Sequence, residues 1–134
     1  MNKFTLAGCV ILQNNSILLL HRIKKDWYEL PGGKIDAPET PEQTATRELK
    51  EELSCDIEII KKLGEKDFEE NGYVMGYIWF LAKIKEGQIP KIGEPEGFDN
   101  FKFIPISELE KYKLSINMNN FLQELRKGIF TLSS

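Results

Sequence analysis

Two periodicities, of strand and of helix, succeed each other along this chain. Residues 3–12 (KFTLAGCVIL) and 16–21 (SILLLH) are apolar runs rich in branched side chains, and they predict two strands. Gln13-Asn14-Asn15 between them predicts a hairpin turn. Gly8, inside the first run, predicts a bulge or a close approach of another backbone. Residues 24–26 read as a loop, and Trp27-Tyr28-Glu29-Leu30 leads from it into a Pro31-Gly32-Gly33 turn. Ala45, Leu49 and Leu53 then recur at i, i+4 and i+8, the stripe of a helix that packs along one side. Thr40 suits its N-cap and Pro41 its first turn, while Gln43 completes a capping box with Thr40.

Strand periodicity returns at Asp56–Leu63 and, after an Asn71-Gly72 turn, at Tyr73–Ile84. Trp79 and Phe80 should point to opposite faces of this last strand. Glu86–Gly97, with three glycines and two prolines, reads as an irregular loop. Phe101–Ile104 predicts a short strand, and Ser107 a cap for a brief helix. Residues 116–127 form an amphipathic helix, with Met118, Phe121, Leu122 and Leu125 as its apolar stripe and Gly128 as its stop. Strands interrupted by one helix and closed by another give an α/β or α+β class. No repeat, linker or low-complexity segment interrupts the pattern.

Composition narrows the class. A chain of 134 residues suits a single domain, 1–134, with one core. With 41% apolar and 29% charged residues it is neither disordered nor fibrous. A net charge of −3 and no basic tail argue against a nucleic-acid polymer as partner, since phosphate backbones are held by clustered Lys and Arg. Cys9 and Cys55 read as small packed hydrophobes rather than a disulfide framework, which fits a reducing cytoplasm. Leu6-Ala7-Gly8-Cys9 resembles a lipoprotein cleavage box, but the segment before it is far shorter than the roughly 15–30 residues of a signal peptide, so a strand is expected. No apolar run approaches the roughly 20 residues of a membrane span.

The chemistry gathers on the first helix. Glu48, Glu51 and Glu52 stand at i, i+3 and i+4, which puts three carboxylates on one side. Such a cluster calls for cations, and hard carboxylate oxygens suit Mg²⁺. A run like RELKEEL, taken alone, is ordinarily a solvated helix laced with charge. The wider pattern changes that. Gly33, Glu39, Arg47, Glu48, Leu49, Glu51 and Glu52 fall at seven fixed offsets, a coincidence expected roughly once in 10⁷ starting points or less often.

These residues resemble the Nudix box, G-x5-E-x7-R-E-U-x-E-E-x-G-U, where U is aliphatic. Two positions depart from it, because Ser54 and Cys55 stand where the family has glycine and an aliphatic residue. Ser54 bears on how the helix ends, not on the charged cluster. The resemblance implies the Nudix fold, a three-layer α/β/α sandwich around a mixed sheet. It implies Mg²⁺, with Mn²⁺ as a substitute, held by Glu48, Glu51, Glu52, the Gly32 carbonyl and a loop carboxylate. Glu96 is the first choice for that carboxylate, with Glu94 and Asp99 behind it, and a solvated loop without a ligand is the alternative. Arg47 and Glu39 would orient the cluster, and Glu48, then Glu51, would serve as general base.

Family members often carry a basic residue that meets substrate phosphate at the end of the second strand. Arg22 takes that position, and an ordinary surface arginine is the alternative. Gly33, Lys34, Trp27 and Tyr28 complete the candidate substrate contacts, the aromatic pair by stacking on a base or by core packing. His21, the single histidine, is either a base or an ordinary structural residue. The implied activity is hydrolysis of a phosphoanhydride bond in a nucleoside diphosphate-linked small molecule. A nucleoside triphosphate, oxidised ones included, would give a monophosphate and pyrophosphate. The alternatives are a dinucleoside polyphosphate, to which the position of Tyr73 points, ADP-ribose or a nucleotide sugar. A non-catalytic nucleotide-binding regulatory module is a further alternative. Either a monomer or a homodimer fits.

Overall fold

The computed structural model describes residues 3–132. Residues 1–2 and 133–134, at the ends of the expected domain, lie outside the described residues. Strands β1 (Lys3–Gln13) and β2 (Ser16–Arg22) form the expected hairpin. Asn14 and Asn15 turn it with φ of 51° and 60°, a left-handed conformation that asparagine tolerates better than most residues. Helix α1 (Pro41–Leu53) carries the predicted cap: Thr40 Oγ1 accepts from the Gln43 N–H, and Gln43 Oε1 accepts from the Thr40 N–H. Strands β5 (Ile57–Glu70) and β6 (Tyr73–Ile84) form a second hairpin through Asn71 and Gly72. Strand β7 (Phe98–Pro105), a 3₁₀ turn (Ile106–Lys111) and helix α2 (Ile116–Arg126) follow.

Four expectations need correction. Trp27–Glu29 and Gly32–Lys34 are short strands, β3 against β2 and β4 against β1, in place of the expected lead-in and Pro-Gly-Gly turn. Strand β5 runs to Glu70, not Leu63, because an edge strand tolerates the alternating Lys, Glu and Asp that hid its continuation. Strand β7 starts at Phe98, three residues early, where Phe98 is buried. Ser107 caps nothing: the turn follows Pro105 with no side-chain cap.

The sheet runs β3-β2-β1-β6-β5, with β4 also beside β1 and β7 beside β2. Among the described strands only β1 and β6 pair in parallel, from Lys3 opposite Val74 to Ile11 opposite Ala82, so the sheet is mixed and the fold α+β. Alternation along each strand then builds two cores. Ala7, Cys9, Ile11, Leu18, Leu20, Ile78, Phe80 and Ala82 meet Ala45, Leu49 and Leu53 of α1 on one face. Val10, Ile17, Leu19, Tyr77, Trp79 and Leu81 meet Met118, Phe121 and Leu122 of α2 on the other. Trp79 and Phe80 do divide between the faces, and the outcome is the three-layer sandwich. Leu49 and Leu53 are fully buried, each contributing about 1.5–3 kcal/mol and fixing which side of α1 faces outward.

Gly8 marks a close approach. A Cβ there would strike the Tyr77 hydroxyl and the Pro31 carbonyl, to which the neighbouring Cys9 N–H donates at 3.0 Å. That bond holds the Pro31-Gly32-Gly33 segment against the middle of β1.

Candidate active site

With the apolar side of α1 committed to the core, its carboxylates face β4. Glu52 is only 3% exposed, and its Oε1 accepts from the Gly32 N–H at 2.9 Å. Burial raises its pKa well above the ordinary value, and the nearby Glu48 charge adds to this. Glu48 lies against Gly33 so closely that a Cβ there would collide with its carboxylate. Its pKa is raised too, by burial first, with Arg47 opposing.

Arg47 binds the rest together. Its Nε and Nη2 meet the two oxygens of Glu39 at 2.7 and 3.0 Å, and its Nη1 meets Glu48 at 3.1 Å and Glu51 at 3.2 Å. Glu39 also accepts from the Thr44 hydroxyl at 2.9 Å. The Arg47 guanidinium holds the Glu39 carboxyl down at about 2. A bidentate pair of this kind fixes direction as well as charge.

Helix α1 ends as the glycine of the box would end it. Ser54 takes φ 57° and ψ 30°, the left-handed cap conformation. The 86–97 loop then covers the helix end: Lys91 N–H donates to the Leu53 carbonyl at 3.0 Å and Gly93 N–H to the Glu52 carbonyl at 2.9 Å. Gly93 is required there, since a Cβ would strike the Glu51 carbonyl. The next residue, Glu94, is half-buried and adds its charge to the fields at Glu48, Glu52 and Arg22. Glu96 is exposed.

Beside the cluster opens a cleft of about 280 Å³, lined in part by Arg22, Lys25, Trp27, Glu29, Gly32 and Gly33. Arg22 pairs with Glu29 through two bonds of 2.6 and 2.9 Å and lies over the Phe98 ring at 4.7 Å. Trp27 Nε1 donates to Glu29 at 2.7 Å. Tyr28, on the opposite face of β3, turns to His21 and Tyr112. Lys34 lays its ammonium over Phe4 at 4.2 Å, and its carbonyl accepts from Arg47 at 3.4 Å. Tyr73 is neither core nor cleft: it is 42% exposed at a hairpin end, against Phe4. Asp99, third in line as a loop carboxylate, is bonded to His21 instead.

Three participants escaped the sequence reading. Glu29 orders both Arg22 and Trp27, and its i, i+2 spacing from Trp27 on a strand was the available signal. Tyr77 and Asn117, both nearly buried, reach the same cleft. Nothing in the local sequence distinguishes them from core residues.

As they stand, no three acidic, histidine or cysteine side chains among the described residues are gathered closely enough to hold a metal ion. The chemistry of the set nevertheless suits one. Glu52 is a buried carboxylate with a single backbone donor and no cation bonded to it, while Arg47 occupies the space between Glu48 and Glu51. Hard oxygen donors around a buried carboxyl group with no partner cation fit a divalent cation, which would stabilise its ionised form.

The fold is shared with MutT-type hydrolases. A MutT NUDIX hydrolase from Burkholderia pseudomallei superposes with a TM-score of 0.84 at 24% identity, over 93% of this chain and 99% of that one. The chain belongs to the Nudix hydrolase family, whose NUDIX domain model matches residues 3–125. It is 35% identical over 101 residues to an RNA pyrophosphohydrolase of Nitratiruptor sp., covering 65% of this chain and 64% of that protein. It is 29% identical over 128 residues to an 8-oxo-dGTP diphosphatase of Haemophilus influenzae, covering 87% and 93%. Hydrolases of this family generally use a divalent metal. Among the described residues no helix is long and apolar enough to cross a membrane.

Proposed function

We propose that this protein hydrolyses a phosphoanhydride bond of a nucleoside triphosphate, oxidised ones among them, to a nucleoside monophosphate and pyrophosphate, with Mg²⁺ or Mn²⁺. One observation carries the reading: Glu48, Glu51 and Glu52 share one side of α1, and Glu52 is buried against the amide of Gly32, the first residue of β4, at the cleft. The similarity to an 8-oxo-dGTP diphosphatase over most of both chains supports the substrate class.

Glu48, Glu51, Glu52 and the Gly32 carbonyl would hold the metal, with Glu94 preferred to Glu96 as the loop carboxylate. Bound there, a divalent cation neutralises phosphate oxygens and acidifies a coordinated water. Arg47 and Glu39 keep the carboxylates aimed from behind. Glu48 takes the proton of the attacking water, with Glu51 next in line. Arg22 spends two N–H groups on Glu29 and keeps the remaining three for phosphate. Trp27, whose indole is fixed by Glu29, offers its face to a base. A small nucleotide, rather than a polymer, suits a net charge of −3.

The test is pyrophosphate and phosphate release with Mg²⁺ or Mn²⁺ across a panel of substrates. It takes nucleoside triphosphates with and without 8-oxo bases, ADP-ribose, dinucleoside polyphosphates and 5′-triphosphorylated RNA. Preferred release from a nucleoside triphosphate supports the proposal. Preference for another member reassigns the substrate, and nucleotide binding without release from any would favour a regulatory module.

A further inference from the structure

His21, the only histidine of the chain, stands one residue before the end of β2 between two carboxylates. Its Nδ1 lies 2.7 Å from Asp99 and its Nε2 2.8 Å from Asp26. Asp26 belongs to the segment that lines the cleft through Arg22, Lys25 and Trp27, and Asp99 follows Phe98, whose ring lies against Arg22. Asp26 closes the loop after β2 at φ 52°, its N–H donating to the Arg22 carbonyl at 2.9 Å, and Trp27 follows it. Asp99 sits at an irregularity of β7, where His21 opposes Asn100 but Arg22 opposes Phe98. Just before it, the Phe98 ring supports Arg22, and the Phe98 and Gly97 N–H groups both donate to the Glu94 carbonyl at 3.0 Å. One further bond joins the two segments directly, from Ile23 N–H to the Gly97 carbonyl at 3.0 Å.

A neutral imidazole has one N–H and one lone pair, so it serves one carboxylate and repels the other. An imidazolium donates to both, and charge-assisted bonds are the stronger kind. We propose that His21, as an imidazolium bridging Asp26 and Asp99, is a positioning residue that holds the Arg22–Trp27 wall and the Glu94 segment in register. Substrate affinity then falls when His21 loses its proton. This rests on the hydrolase reading of the cleft.

The surroundings favour the charged form. Asp99 raises the His21 pKa above its ordinary 6.5, burial opposes, and Asp26 adds to the rise. His21 in turn holds the Asp99 carboxyl below its usual range. Other groups on the neighbouring elements are engaged elsewhere. Lys25 lies over Trp27, Lys102 over Tyr28 and Tyr112, and Arg22 pairs with Glu29. The Asn100 amide donates to Asp99 at 3.0 Å, and the Tyr28 ring lies 5.0 Å from the imidazole.

A single histidine gives a single imidazole signal, so its titration can be followed by NMR in the whole protein, beside amide exchange at Ile23 and Asp26. Steady-state kinetics over the same pH range, with the nucleotide found in the release panel, supply KM and kcat. The expected imidazole pKa lies above 6.5 and drops in Asp26→Asn and in Asp99→Asn. Crossing it should speed exchange at both amides and raise KM about tenfold, with kcat little changed, the loss of one charge-assisted bond. His21→Gln should show the high KM at every pH, and the comparison subtracts ionisation of the substrate itself. An imidazole pKa at or below 6.5, a KM difference that ignores it, or wild-type KM in His21→Gln at low pH overturns the proposal. Should no substrate turn over, the hydrolase reading fails, while the titration and exchange data still judge the bridge by themselves.

Discussion

The Gly32 N–H donates to the Glu52 carboxylate at 2.9 Å, joining the start of β4 to the helix 20 residues further along. This contact holds Glu52 against Gly32, which lines the cleft, rather than in open solvent. It also leaves a nearly buried carboxyl group held by one backbone donor, an arrangement in which a cation would stabilise the ionised form.

Glu52→Gln keeps an acceptor for Gly32 and removes the charge. Turnover should fall on the order of 10²–10³-fold, as when a site loses one charge-stabilising group. The melting temperature in chelator should hold or rise, since burial disfavours the ionised carboxylate at neutral pH. A fully active variant defeats the assignment of Glu52 to the metal.

Binding of the metal should itself stabilise the fold. At 100 times its dissociation constant, Mg²⁺ or Mn²⁺ should add about 2.7 kcal/mol, read as a rise in melting temperature. The rise should vanish in Glu52→Gln. If wild type and variant respond alike, the ion binds elsewhere.

Gly33→Ala tests the seat of Glu48. Its new Cβ would occupy the place of the Glu48 carboxylate, so kcat should fall while the fold persists. Gly64→Ala, whose Cβ would meet Phe130 at an ordinary 3.5 Å, is the control and should keep its activity. Equal losses in both would show that a general strand defect, not Glu48, is responsible.

The Arg47–Glu39 pair sets an acid limit. Because the folded-state pKa of Glu39, about 2, lies below its ordinary 4.5, the pair adds stability above 4.5 that is lost as pH falls toward 2. Urea unfolding across that window should show a declining midpoint, and Glu39→Gln should flatten part of the decline. An unchanged acid limb in the variant rules the pair out as its source.

Ser54→Gly should stabilise the protein. A non-glycine residue in the left-handed region costs about 1–2 kcal/mol, partly offset by the entropy that glycine loses on folding. The net gain should be roughly 0.5–1 kcal/mol, seen as a higher urea midpoint at constant slope. A lower midpoint would mean that the Ser54 side chain contributes something the glycine cannot.

Local chemistry is what the sequence displayed well. Thr40, Pro41 and Gln43 announced where α1 begins, Leu49 and Leu53 announced its buried side, and together they located Glu48, Glu51 and Glu52 before any coordinates. Contacts between distant segments were not legible. Gly93 seats the loop on the end of α1, with Glu94 next to it adding its charge at Glu48 and Glu52. Strand β3 spans three residues, too few for alternation to stand out, so Glu29 passed unnoticed although it fixes Arg22 and Trp27. Strand β5 hid its second half behind charges suited to a sheet edge.

The parallel pairing of Lys3 with Val74 sets the order in which the molecule can come together. During synthesis the glutamate helix emerges early, yet the partner of β1 does not exist until residues 73–84 have left the ribosome. Closing so long a loop is entropically slow, so a nascent chain stopped short of Ile84 should hold the box residues without their scaffold.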